Sequence, residues 1–212
     1  RSDLPFSLFP WTRPMGYSNI NIAALIGSRI CHDLISPIGA INNGLELLNM
    51  SGGQGGPEMD LISDSVGNAS ARIRFFRIAY GAASDTPVGR SEIVAILRGY
   101  TDGGRLDVAY GPLEEQPRMM VRMVFLAVQC METAMPYGGR IEIACANEAW
   151  SVSGFSNKFT FDESLWTRLE SGETEDLAPA HVQFPLLCLH AQNIRRKVNW
   201  SLETGSKLTV TF

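Results

Sequence analysis

Ile30-Cys31-His32-Asp33-Leu34-Ile35-Ser36-Pro37-Ile38 opens a segment whose periodicity runs to about Leu48. Apolar residues recur at Ile30, Leu34, Ile38, Ile41, Leu45 and Leu48, in steps of four and three that draw one stripe along a helix. At about 100° per residue the stripe is centred near Leu34, and His32 lies roughly 160° away on the opposite face. Ser28, Arg29, Ser36, Gly39 and Asn43 share that face. None of them is bulky and apolar, so the imidazole is expected to be open to another macromolecule.

A lone histidine on a helix is ordinarily a solvated or capping residue, and the period argues against a place in the core. The neighbours favour chemistry. Asp33 can hold one ring nitrogen as N–H and leave the other as a nucleophilic lone pair. Pro37 removes a backbone N–H and is expected to bend or loosen the helix one turn beyond the histidine. An exposed His followed by a carboxylate, on a helix whose other face is a bundle seam, is how a phosphoryl-accepting histidine is presented.

The remainder of the chain bounds this reading. Its 212 residues hold one or two domains, and 45% hydrophobic with 19% charged residues is ordinary for a soluble globular protein. No apolar run reaches the roughly 18 residues that a membrane span needs. A net charge of −4 argues against nucleic acid as the main partner. Cys31, Cys130, Cys145 and Cys188 form no C-x-x-C pair, and no zinc constellation is visible. Reduced thiols in a cytoplasmic protein are the simplest account. Residues 1–18 are proline-rich and aperiodic; they read either as a docking arm or as sequence appended for expression, and are set aside.

A first helix is expected from Ser18 or Asn19 to Asn49, then a glycine-rich loop from Ser51 to Pro57, then a second helix from Glu58 to Tyr80. The seam of the second helix, Met59, Ile62, Val66, Ala69, Ile73, Phe76 and Tyr80, alternates threes and fours as a heptad does. Two such helices make an antiparallel hairpin, and pairing two hairpins in a four-helix bundle covers both seams. Leu25, Leu47, Leu61 and Phe75 lie off the main stripes and suggest extra packing or a partner surface. Folding the hairpin brings Arg72 and Arg74 beside His32, as cations for an incoming phosphorylated partner or simply as solvated residues.

The stretch 81–89 reads as a linker, dividing a hairpin domain over 19–84 from a second domain over 90–212. The second domain is expected to run as a short helix over Ser91–Leu97, a strand over Leu106–Tyr110 and a long helix over Gln116–Met135. Strands are expected next over Arg140–Asn147 and Ala149–Val152, then helices over Phe161–Leu169 and Ala180–Ile194. A closing hairpin takes Lys197–Glu203 and Lys207–Phe212 through Thr204-Gly205-Ser206. This order predicts a mixed or antiparallel sheet with helices on one face.

His32-Asp33-Leu34-x-x-Pro37, with Asn42-Asn43-Gly44-Leu45-Glu46-Leu47-Leu48 beyond it, resembles the H-box of dimeric histidine kinases. More closely still it is similar to the ChpT-type bacterial histidine phosphotransferases, over most of the chain from Asn19 onward and specifically through Arg29–Leu48. The resemblance implies a dimeric four-helix bundle carrying a second domain like the Bergerat, or GHKL, ATP-binding fold of those kinases. The Met135-Pro136-x-Gly138-Gly139 ending of the long helix fits that fold. Gln129 or Cys130 stands where its magnesium-binding Asn belongs, no Asp-x-Gly-x-Gly comes after the next strand, and a lone Gly154 is no nucleotide cradle. The second domain is therefore expected to keep the fold and lack the ATP site.

The resemblance also implies a His–Asp phosphorelay through His32, with Asp33 orienting the ring. Ser28, Arg29, Ser36, Pro37, Gly39, Asn43 and Arg72 would meet the receiver. No metal site or cofactor is required, because the receiver brings its own Mg²⁺. The implied partners are a CckA-type hybrid histidine kinase upstream and CtrA- and CpdR-type response regulators downstream, in cell-cycle control. The rival readings are an ATP-dependent sensor kinase fragment and a dimeric scaffold in which His32 is incidental.

Overall fold

A computed structural model describes residues 17–50, 56–82, 84–203 and 206–212. The expectations for the N-terminal arm, for the glycine-rich loop after Met50 and for the last turn at Thr204-Gly205 fall outside the described residues. Helix α1 runs over Tyr17–Met50 and passes through Pro37 without ending. Helix α2, Pro57–Ala79, starts at a proline in its first turn, where the missing N–H costs nothing. The two helices pack against each other along the hairpin. Gly44 permits this approach: a Cβ there would sit 2.6 Å from the Ile62 Cγ1.

The α/β part contains α3 (Arg90–Thr101), β1 (Leu106–Tyr110), α4 (Arg118–Ala134), β2 (Gly139–Ala146) and β3 (Ala149–Phe155). It continues with α5 (Glu163–Trp166), α6 (Arg168–Ser171), a 3-10 turn (Pro179–His181), α7 (Gln183–Asn193), β4 (Asn199–Glu203) and β5 (Lys207–Thr211). The five strands order as β1-β2-β3-β5-β4, with β1–β2 parallel and the other pairs antiparallel. The sheet is therefore mixed, as the element order predicts.

Ile141, Ile143, Val152, Leu208 and Val210 face one side of the sheet and are buried, while Ser153 and Thr209 meet on the other at 3.1 Å. Period-two alternation thus sets one apolar face under α4. Helix α4 is buried on nearly every side, because the sheet, α7 and α2 all pack on it. A helix apolar all round is a core helix, and its Met, Val and Leu content reflects that position.

Two expected helices take a different form. The expected Phe161–Leu169 helix is replaced by two single turns. Asp162 caps the first by accepting from the Ser164 N–H at 3.0 Å, which leaves Phe161 outside to stack on Trp166. The expected Ala180–Ile194 helix begins as the 3-10 turn and becomes α-helical only at Gln183. Gly154 lies under Met135 and Met131, whose sulfurs stand 3.0 and 3.1 Å from where its Cβ would be. Its role is to let α4 sit close on β3.

Phe75 joins the hairpin to the α/β part. It is fully buried and stacks between Tyr100 of α3, with centroids 3.9 Å apart, and Phe125 of α4, at 4.5 Å. Arg122 of α4 caps the end of α2, donating to the carbonyls of Ile78 at 3.1 Å and Ala82 at 3.1 Å. One apolar core therefore runs from the C-terminal half of α2 into the α/β part. Of the residues off the hairpin stripes, Leu25 and Phe75 enter this core, whereas Leu47 and Leu61 stay exposed.

Candidate phosphoacceptor site

His32 projects from α1 with 83% of its side chain exposed. Its Nδ1 lies 3.1 Å from Asp33 Oδ1. An ionised carboxylate only accepts hydrogen bonds, so Nδ1 carries the proton in the neutral ring and Nε2 keeps its lone pair. That lone pair faces solvent. The ring stands over a depression of about 490 Å³ lined by His32, Asp33, Ser36, Pro37, Ala40, Asp64, Ser65, Asn68 and Arg72. Helix α2 contributes the last four, because the hairpin lays its middle turns beside the histidine.

Arg72 is the cation of this depression. Its Nε donates to Asn68 Oδ1 at 2.9 Å, and its guanidinium carbon sits 5.4 Å from the centroid of the Tyr100 ring. The hydrogen bond and the cation–π contact hold a long, many-jointed side chain in one orientation. Arg74, the other basic candidate on α2, lines a separate depression with Ser63 and Gly67.

The remaining candidates scatter. Ser28 and Ser36 are exposed, and Ser36 lines the depression. Pro37 is buried and contributes to its floor. Gly39 is half-buried outside its lining, and exposed Asn43 stands eleven residues on, roughly 16 Å along the axis.

Arg29 departs most from expectation. The helical period assigns it to the open face, yet only 11% of its side chain is exposed. The arithmetic of a helical wheel treats the hairpin as isolated, whereas the 3-10 turn and α4 cover this flank of α1. Arg29 Nε donates to Asp33 Oδ2 at 2.8 Å, Nη1 donates to the Ala180 carbonyl, and Nη2 lies 3.8 Å from Glu132 Oε2. Burial alone would lower its pKa; the carboxylate of Asp33, with that of Glu132, reverses the direction and raises it.

Glu132 also accepts from the Tyr100 hydroxyl at 2.8 Å, and the Tyr80 hydroxyl donates to Gln129 at 2.6 Å. Burial, partly countered by Arg29, raises the pKa of both phenols, so they stay neutral donors. Nothing in the order of residues points to Tyr100 or Glu132 here. The four-residue spacings Arg29–Asp33 and Asn68–Arg72 are the only legible signals. Among the described residues, no group of three or more His, Cys, Asp or Glu side chains is placed to hold a metal ion.

The family model described as the histidine phosphotransferase C-terminal domain matches residues 90–206. The chain belongs to the histidine phosphotransferase family. Within it, the chain is of the ChpT type. It is 56% identical over 75 residues to the protein phosphotransferase ChpT of Brucella abortus (strain 2308). That alignment covers 35% of this chain and 35% of that protein, so it spans about a third of the curated relative's length. A solved bacterial phosphotransferase structure aligns with a TM-score of 0.75 at 28% identity, over 94% of this chain and 99% of that one. The likeness supports the expected architecture, a helical hairpin carrying an α/β unit.

Proposed function

We propose that the protein carries a phosphoryl group between receiver domains through His32, as one station of a His–Asp phosphorelay. The observation that carries this reading is the ring itself: Nδ1 is engaged by Asp33, Nε2 is free, and the side chain is 83% exposed. Nε2 attacks the phosphorus of a receiver aspartyl phosphate, the new N–P bond forms as the P–O bond breaks, and the aspartate carboxylate leaves. The ring gains positive charge, which Asp33 Oδ1 stabilises at Nδ1. Attack by a second receiver's aspartate reverses these steps. The transition state is loose, so positioning and charge neutralisation do most of the work, and Arg72 is the cation at hand. The divalent cation of such a reaction comes with the receiver.

The partners of this reading are those of the ChpT type: a CckA-type hybrid kinase as donor, and CtrA- and CpdR-type regulators as acceptors, in the cytoplasm during cell-cycle control. Ser36, Pro37 and Arg72 form the receiver-facing wall beside the histidine, with Ser28, Gly39 and Asn43 along the approach. Two copies pair through the hairpin into a four-helix bundle. Ile38, Leu45, Met59, Val66 and Ile73, all seam positions of the two helices, remain exposed on one chain, and pairing would give them a cover.

The α/β unit acts without ATP. Gln129 and Cys130 are fully buried, and Gln129 is engaged by Tyr80, so neither is presented to a nucleotide-bound cation. The test is to incubate the pure protein with labelled ATP alone, and separately with a phosphorylated receiver. Acid-labile label arriving from the receiver only, and lost in His32→Ala, supports the relay. Label arriving from ATP alone shows a kinase instead.

A further inference from the structure

We propose that Arg29 is a positioning residue for His32, through which the α/β unit fixes the reactive tautomer of the imidazole. The inference rests on the phosphorelay reading and assigns the α/β unit a direct task in it. The two oxygens of Asp33 are divided: Oδ1 takes His32 Nδ1 at 3.1 Å, and Oδ2 takes Arg29 Nε at 2.8 Å. A carboxylate bound at one oxygen can turn about its terminal torsion. Bound at both, it cannot. Asp33 therefore offers Oδ1 to the ring in one orientation, which selects the Nδ1–H form and directs the Nε2 lone pair outward.

Arg29 is in turn fixed from the other side. Its Nη1 donates to the carbonyl of Ala180 in the 3-10 turn before α7, and its Nη2 faces Glu132 of α4, which Tyr100 of α3 also engages. All three of these residues belong to the α/β part. The guanidinium fork is what permits this bridging, since Asp33 and Ala180 are reached from two different nitrogens in one plane, and a lysine has only one. A merely structural ion pair would serve as well on any turn of α1. This one ends on the carboxylate that holds the reactive ring.

The test combines kinetics with a spectroscopic signature, on the full chain. Phosphotransfer from a phosphorylated receiver should slow by about tenfold to a hundredfold in Arg29→Ala, the cost met when a metal-bound histidine loses the outer group that orients it. Receiver affinity should be unchanged. Arg29→Lys, which keeps the charge and loses the fork, should be slowed as well and serves if the alanine variant folds poorly. In an Asp33→Asn background, Arg29→Ala should add no further loss, because both act on the same ring.

The decisive readout is the ¹⁵N spectrum of His32, recorded in buffer alkaline enough that the spectrum itself shows the neutral ring. Wild type should show the Nδ1–H form, and Arg29→Ala a mixture of both tautomers. An unchanged tautomer with transfer within about twofold of wild type overturns the proposal. So does an additive loss in the double variant. If wild type accepts phosphoryl from no donor, the relay reading fails on its own, and the nitrogen spectrum still decides what Arg29 does.

Discussion

On α7, His190 is half-buried, and its Nδ1 is enclosed without a hydrogen-bond partner among the described residues. Burial, reinforced by the charge of Arg122, pushes its pKa down from an ordinary 6.5 to about 4. The unfolded chain therefore takes up this proton at a higher pH than the native one. The contribution that neutral His190 makes to native stability is fully present above about 6.5, and is lost progressively as pH falls toward about 4. His190→Leu should flatten that acid limb, which thermal unfolding midpoints measured from neutral to mildly acidic pH would show. An acid limb of unchanged steepness in the variant would place the titration elsewhere. His32 is the same residue type in the opposite setting, exposed and beside a carboxylate.

At the scale of elements, the join between hairpin and α/β part depends on a few side chains at the end of α2. Phe75 is sandwiched between aromatic rings of α3 and α4, and Arg122 closes the last carbonyls of the helix. Truncating a fully buried Phe costs about 3–5 kcal/mol, and the stacked pairs add to this. Phe75→Ala should lower the urea midpoint accordingly. It should also slow phosphotransfer, because Tyr100 loses a stacking partner and Arg72 rests over Tyr100. A variant destabilised by less than about 1 kcal/mol would show that the two parts are joined mainly by other contacts.

For the whole molecule, the informative surface is the apolar side of the hairpin. Ile73 is 53% exposed, and with Ile26, Ile30 and Phe76 it lines an apolar groove along it. The packing of α1 on α2 leaves this side uncovered, and two hairpins seated face to face would bury it as a bundle core. Ile73→Glu should therefore halve the mass seen by light scattering, from twice the 23.3 kDa chain to once. The folded α/β part should survive, by its near-ultraviolet dichroism. A wild-type protein that is monomeric across the micromolar range would rule out the four-helix bundle.

Periodicity is enough to delimit the hairpin, because 3.6-residue spacing decides which face can be apolar whatever packs against it. It also puts His32 on the open side with Asp33 as its neighbour, and locates Leu106–Tyr110 and the closing β4–β5 pair. The short turns around Asp162 and Pro179 escape it, since local capping competes there with helical spacing over only a few residues. Arg29 escapes it for a different reason. Whether a polar residue on a helix flank meets water or another element depends on how two distant segments pack, and Ala180 lies 151 residues away. That His32 stands on the open side of α1 beside Asp33 is therefore written in the order of residues along that helix. What meets Asp33 from its other side is decided by packing between distant segments: the covered flank of α1 turns an apparent surface cation into a buried partner of that carboxylate.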